Sequence, residues 1–152
     1  MPRIEFILTD EVKNKLINVL NEYDDVEIGG ILVGIKEGEN LFKIVDLSIP
    51  DKKQKFFRIK FSREKKSIKK FLKNHYKNDT GRYIGEWHSH PTFSLNPSHI
   101  DINTMVGIIN DKNYGVTFAV LLIVQRTNED LNYKGYFFHQ DLDRVIVMSE
   151  KD

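Results

Sequence analysis

The chain contains no cysteine. That excludes a disulfide framework, a thiolate nucleophile and a thiolate metal site together. Any bound metal must be held by histidine, aspartate or glutamate. Long apolar runs are also missing: nothing approaches the ~20 residues needed to span a bilayer. The opening "MPRIEFIL" is too short and too charged for a secretory leader. These absences predict a cytoplasmic protein without a membrane partner. Net charge is only +1, from 23 basic and 22 acidic residues, which weakens the case for a dedicated nucleic-acid binder. No linker, internal repeat or low-complexity segment interrupts the 152 residues, which read as one domain able to bury roughly two thirds of its unfolded surface.

The small net charge hides an uneven distribution. Residues 51–78 carry twelve of the 23 Lys and Arg against the two acids Asp51 and Glu64. A solvated face is the plain reading of that run, and a docking patch for an acidic partner or nucleic acid the sharper one. Periodicity supplies the elements. "RIEFIL" alternates as a strand and leads into a helix capped by Thr9, with Val12, Leu16, Val19, Leu20 and Tyr23 on one stripe. "EIGGILVGI" reads as a buried strand whose paired glycines let something approach the backbone closely. A turn at residues 37–40 then makes a hairpin with "LFKIVDLSI". After a charged loop and the short strand "FFRIKF", residues 63–77 form a second helix. Its apolar stripe is Ile68, Phe71, Leu72, His75 and Tyr76, and His75 there is a packed histidine. "RYIGEWHSH" is a strand. A third helix starts near Ser98 with Ile102, Met105, Val106 and Ile109 buried. "VTFAVLLIV" and "NYKGYFFH" are strands, and "LDRVIVM" suits either strand or helix. The mixture predicts an α/β (α+β) fold, one curved mixed sheet flanked by about three helices.

The chemistry concentrates in "GEWHSHPTFSLNPSHID", residues 85–101. Successive strand side chains alternate faces, so His88 and His90 point the same way, ~7 Å apart. Two imidazoles so placed can converge on one ion, and Asp101 can be the third ligand if the intervening loop folds back. Zinc accepts imidazole and carboxylate donors, and a catalytic zinc site keeps one position for water. Ser98 and Asp101 also form a capping box ahead of an apolar helix, which explains rigid delivery of both groups but not the two histidines. His99, beside the cap, has no assigned role.

The complete spacing is His-x-His, seven residues, Ser, two residues, Asp. It resembles the JAMM metalloproteases, also called JAB or MPN domains, and in particular the stand-alone prokaryotic JAB isopeptidases. The likeness runs through "HSHP" and "DINT", and upstream to "EIGGILVG", covering roughly residues 3–140. It implies a single JAB/MPN metalloprotease domain over residues 1–152. It also implies one zinc per chain on His88, His90 and Asp101, and hydrolysis of amide bonds by metal-activated water. Two departures stand out: the chain lacks the longer insertions and cysteine-containing zinc site of some relatives, and it has Glu86 where several carry an apolar or aromatic residue.

Such hydrolysis needs a base beside the water that does not occupy the metal. Glu27 and Glu86 are the candidates. Glu86 shares the histidine face but lies ~7 Å further down the strand from His88, whereas Glu27 begins another strand beside two glycines. The resemblance selects Glu27 as base and gives Ser98 the oxyanion. It also implies a ubiquitin-like protein or its conjugates as substrate, in ubiquitin-like conjugation, sulfur-carrier processing, or antiphage systems with companion E1- and E2-like enzymes. A substrate tail would add a strand near "KFFRIKF". The alternative is a non-catalytic MPN scaffold that binds partners in a larger complex. Relatives of that kind lose the histidines or the serine.

Overall fold

In the computed structural model, residues 3–23, 26–50, 66–91, 94–128 and 130–152 are described. The first strand, β1 (Glu5–Leu8), is followed by helix α1 (Asp10–Glu22). Thr9 caps α1 by accepting the Val12 N–H, and Val12, Leu16, Val19 and Leu20 are its buried stripe, as the periodicity requires. β2 (Gly29–Glu37) and β3 (Leu41–Leu47) form the antiparallel hairpin. Next come α2 (Lys66–Asn78), β4 (Arg82–Ser89), α3 (His99–Asn110), β5 (Phe118–Thr127) and β6 (Asp130–His139). The ambiguous C-terminal stretch resolves into two very short strands, β7 (Ile146–Val147) and β8 (Ser149–Glu150). The strand read in "FFRIKF" lies outside the described residues, as does most of the basic run before α2.

Among the described residues the strands make one eight-stranded mixed sheet, ordered β7-β6-β5-β4-β2-β3-β1-β8. β4 and β5 run parallel, joined by the crossover through α3, while β2 flanks β4 antiparallel. β7 and β8 sit at opposite ends of this order yet are separated in the chain by Met148 alone. The Met148 N–H donates to the Gly135 carbonyl, and the Ser149 N–H to that of Ile4. One stretch of chain thus bridges both edges, and the sheet curls into a nearly closed barrel.

The sheet separates two apolar layers. α1 packs over Phe6, Leu32, Phe42, Ile44, Trp87 and Leu122. α2 and α3 cover Ile31, Tyr83, Leu121 and Ile123 on the other side. β4 contributes to both layers and carries a bulge. Leu32 pairs with Gly85 and Val33 with Tyr83, leaving Ile84 as the extra residue. A Cβ on Gly85, whose φ is +154°, would lie 1.8 Å from the Val120 carbonyl oxygen. Only glycine lets β5 approach here.

Two details of the apolar stripes differ from expectation. Tyr76 is 67% exposed, because the Arg82 guanidinium stacks 4.4 Å from its ring centroid and offers a solvated partner. On α3 the buried set is Met105, Ile108 and Ile109 with Asp101, while Val106 is 41% exposed. Turning Asp101 inward rotates the helix by about one position, which brings Ile108 under the sheet and lifts Val106 out.

Candidate active site at the end of the fourth strand

The parallel crossover puts the N-terminus of α3 at the carboxyl end of β4, where His88 and His90 lie. The capping box is complete: Ser98 Oγ accepts the Asp101 N–H at 3.1 Å, and Asp101 Oδ2 accepts the Ser98 N–H at 2.9 Å. Asp101 is thereby fixed in the first turn of α3, where the helix dipole favours a negative charge. It is only 1% exposed.

Both histidines reach this carboxylate. His88 Nδ1 lies 3.1 Å from Asp101 Oδ1, and His90 Nε2 lies 3.2 Å from Oδ2. Burial alone would raise the Asp101 pKa; the bonds from His88, His90 and the Ser98 amide outweigh it and hold the carboxyl well below the usual carboxylate range. Burial likewise tends to lower the His90 pKa, but bonding to Asp101 and Ser94 and the charges of Asp101 and Glu27 raise it above the ordinary imidazole value.

His90 Nδ1 sits 2.9 Å from the Ser94 carbonyl oxygen. A carbonyl only accepts, so Nδ1 carries the proton. In the neutral ring, Nε2 then presents a lone pair toward Asp101 Oδ2. Two electron-rich atoms facing each other in a buried site call for a second proton or a cation between them. An imidazole whose far N–H is held by a carbonyl is also the usual orientation of a metal-bound histidine. Glu27, His90 and Asp101 offer ligand atoms within 4.8 Å of one another. With His88 on the same carboxylate, this set of imidazole nitrogens and carboxylate oxygens fits zinc.

Glu27 arrives differently from expectation. β2 begins at Gly29, so Glu27 precedes the strand instead of opening it. The close approach that the paired glycines permit is internal. A Cβ on Gly30 would meet the Ser48 carbonyl oxygen at 2.3 Å and Trp87 Nε1 at 2.7 Å. In that space the Trp87 N–H donates to the Ser48 carbonyl at 2.9 Å, and Ser48 Oγ accepts the Ile31 N–H at 2.9 Å. The glycine serves the tryptophan beside His88.

Glu86 is 2% exposed. Tyr83 donates its hydroxyl to it at 3.1 Å, and the bulge at Ile84 is what brings these two side chains to one face. Burial pushes the Glu86 carboxyl up to about 7, against the lowering effects of His88 and Tyr83. Arg82, on the same strand, reaches Asp79 at 3.4 Å. His75, read as a packed histidine, bridges Asp46 Oδ2 and Thr80 Oγ1, each at 2.8 Å.

The family model for prokaryotic homologs of the JAB domain matches residues 9–134. The chain belongs to this JAB family. Among relatives, the JAB domain is 32% identical over 100 residues to a CD-NTase/cGAS isopeptidase of Enterobacter hormaechei subsp. hoffmannii (strain UCI 50). That match takes in 64% of this chain and 54% of the relative, so the chain spans about half the relative's length. The solution structure of protein DSY2949 from Desulfitobacterium hafniense has the same fold. Its TM-score is 0.69 at 18% identity, over 96% of this chain and 91% of that one. Among the described residues of the JAB domain, no helix is long and apolar enough to cross a membrane.

Two side chains near the site carried no assignment in the sequence. Gln125 donates to the His90 carbonyl at 3.0 Å, and Ser89, 1% exposed, bonds the segment that carries Glu27. Alternation placed Ser89 on the face opposite the histidines, and that was the available signal. Its partners are 61 and 63 residues away in sequence, which no local pattern reports.

Proposed function

We propose that this JAB domain is a zinc-dependent isopeptidase or peptidase, hydrolysing the amide bond at the C-terminus of a ubiquitin-like or similarly conjugated protein. The observation that carries the proposal is the buried Asp101 carboxylate. It meets both His88 and His90 with the Glu27 carboxylate alongside. His88, His90 and Asp101 hold one zinc per chain. When bound, zinc polarises a carbonyl and lowers the pKa of water to near 7.

The protein's own residues do the rest. Glu27 takes a proton from the attacking water and returns it to the leaving amine. Ser98, placed by its cap at the start of α3, donates its hydroxyl to the oxygen that gains charge. The Ser94 carbonyl fixes the His90 ring, and Gln125 ties down the His90 backbone. The isopeptidase name of the Enterobacter relative supports a ubiquitin-like substrate, with E1- and E2-like enzymes of the same system as partners.

Glu27→Gln tests the assignment of roles. It abolishes cleavage of a ubiquitin-like fusion while elemental analysis still finds one zinc per chain. Loss of zinc in this variant makes Glu27 a ligand, which its 4.8 Å grouping with His90 and Asp101 would then explain. Wild-type protein that takes up no stoichiometric zinc would overturn the enzyme reading in favour of a partner-binding scaffold.

A further inference from the structure

Glu27 lies in a gap between α1 and β2, where the sheet does not reach it. The first ladder pair of β2 with β4 is Gly29 with His88. One residue further out, a side chain takes over half of the pairing. The Ser89 N–H donates to the Ile28 carbonyl at 2.8 Å, while the Ile28 N–H goes to Ser89 Oγ, at 2.9 Å. The same hydroxyl donates to the Val26 carbonyl at 3.3 Å. Ser89 therefore grips both peptide neighbours of Glu27, from the residue between the two site histidines.

We propose that Ser89 is a positioning residue for Glu27: its hydroxyl sets where the carboxylate stands relative to His90 and Asp101. The inference rests on the proposed hydrolysis, in which Glu27 is the base. Its physical basis is that one hydroxyl both accepts and donates, so it can hold a C=O and an N–H on either side of one residue. Removing it leaves the buried Ile28 amide and the part-buried Val26 carbonyl to find other partners, and the Glu27 segment can shift. A shift on the order of 1 Å in a reacting group costs on the order of 10²-fold in rate. The metal ligands are on other residues and keep their places. The hydroxyl matters more than the rest of the side chain, because Ser89 also lines a cavity of about 290 Å³ between α1 and the ends of β4 and β5. Threonine keeps the hydroxyl and adds a single methyl at a residue that borders this space.

The test compares zinc-loaded wild type, Ser89→Ala and Ser89→Thr. It reads kcat and KM separately on a ubiquitin-like fusion, zinc per chain, and amide hydrogen exchange at Ile28. For Ser89→Ala, kcat falls on the order of 10²-fold with KM and zinc content unchanged, and Ile28 exchanges faster. Ser89→Thr restores kcat to within a few-fold and keeps Ile28 protected. A wild-type kcat in Ser89→Ala overturns the inference. So does a loss of activity that follows loss of zinc, or a threonine variant as poor as alanine. Should Ser89→Ala not fold, Ser89→Cys, with its weak acceptor, replaces it against Ser89→Thr, and the same kcat difference decides. Should wild type with bound zinc cleave nothing, the hydrolysis reading fails by itself. Ile28 exchange then decides for Ser89: unchanged protection in the alanine variant rejects the grip.

Discussion

Gly30→Ala asks how much of the site depends on a single missing methyl group. The new Cβ would lie 2.3 Å from the Ser48 carbonyl oxygen, 2.6 Å from Ser48 Oγ and 2.7 Å from Trp87 Nε1, where ordinary contact begins near 3.4 Å. The Ser48 carbonyl must retreat by about 1.1 Å, the gap between 3.4 and 2.3 Å. It is backbone, and so is β2 opposite it, so neither yields as a flexible side chain would. Overpacking of this kind costs about 1–3 kcal/mol. The retreat also breaks the Trp87–Ser48 bond, and a buried partner left unsatisfied costs about 1–3 kcal/mol more. The two effects share atoms and do not simply add, giving about 2–5 kcal/mol. At about 2–4 °C per kcal/mol for a chain of this size, the melting temperature falls by roughly 5–20 °C. Trp87 is the one tryptophan, so its emission reports the loss of the indole hydrogen bond directly. Gly107→Ala is the control: it sits on the exposed side of α3 and a Cβ there meets nothing within 4 Å. It should stabilise the protein by roughly 0.5–1 kcal/mol. A Gly30→Ala protein melting within about 2 °C of wild type, with unchanged Trp87 emission, would refute the packing argument.

Ser98→Ala removes the helix cap and the proposed oxyanion donor together. It should cost about 1 kcal/mol of stability and lower turnover by on the order of 10²–10³-fold; near-normal turnover in steady-state assays reduces Ser98 to a cap. Asp46 links three elements, accepting from Lys15 on α1 at 2.5 Å and meeting His75 on α2 at 2.8 Å. Burial would raise its pKa, but bonds from Lys15, His75 and the Leu47 N–H bring it below the usual 3.8. A folded-state pKa below the unfolded one contributes stability that is present above about pH 4 and lost as pH falls through the folded value. Asp46→Asn should therefore be less stable than wild type near neutral pH, and denaturant titrations of the two should converge in acid. A difference that persists in acid would assign the effect to packing.

What the sequence discloses and what it conceals divide along physical lines. Thr9 and Ser98 were legible as caps because capping is local chemistry with fixed spacing. Likewise, the buried stripe of α1 follows from a period that polar residues do not interrupt. The stripe of α3 was misplaced by about one position because a buried carboxylate, Asp101, occupies a core-facing position that hydropathy assigns to solvent. Tyr76 looked buried because an aromatic ring stacked under a guanidinium has the same sequence signature as one in a core. That His88, His90 and Asp101 come together was legible from spacing. The contacts that brace it were not: Ser89 to Val26 and Ile28, Trp87 to Ser48, Gln125 to His90. Each joins segments distant in sequence, and the sheet order alone brings them together.

The near-closure of the sheet makes the last few residues more than a tail. Unpaired strand edges are templates on which other chains can add, and proteins generally shield them. Here the five residues 146–150 cover β6 at one end of the sheet and β1 at the other. Their removal would bare two edges at once, of opposite ends of the same molecule. Each copy could then pair β6 with β1 of the next in an open-ended series. Damage at this strap would show first as concentration-dependent self-association, and only afterwards as unfolding.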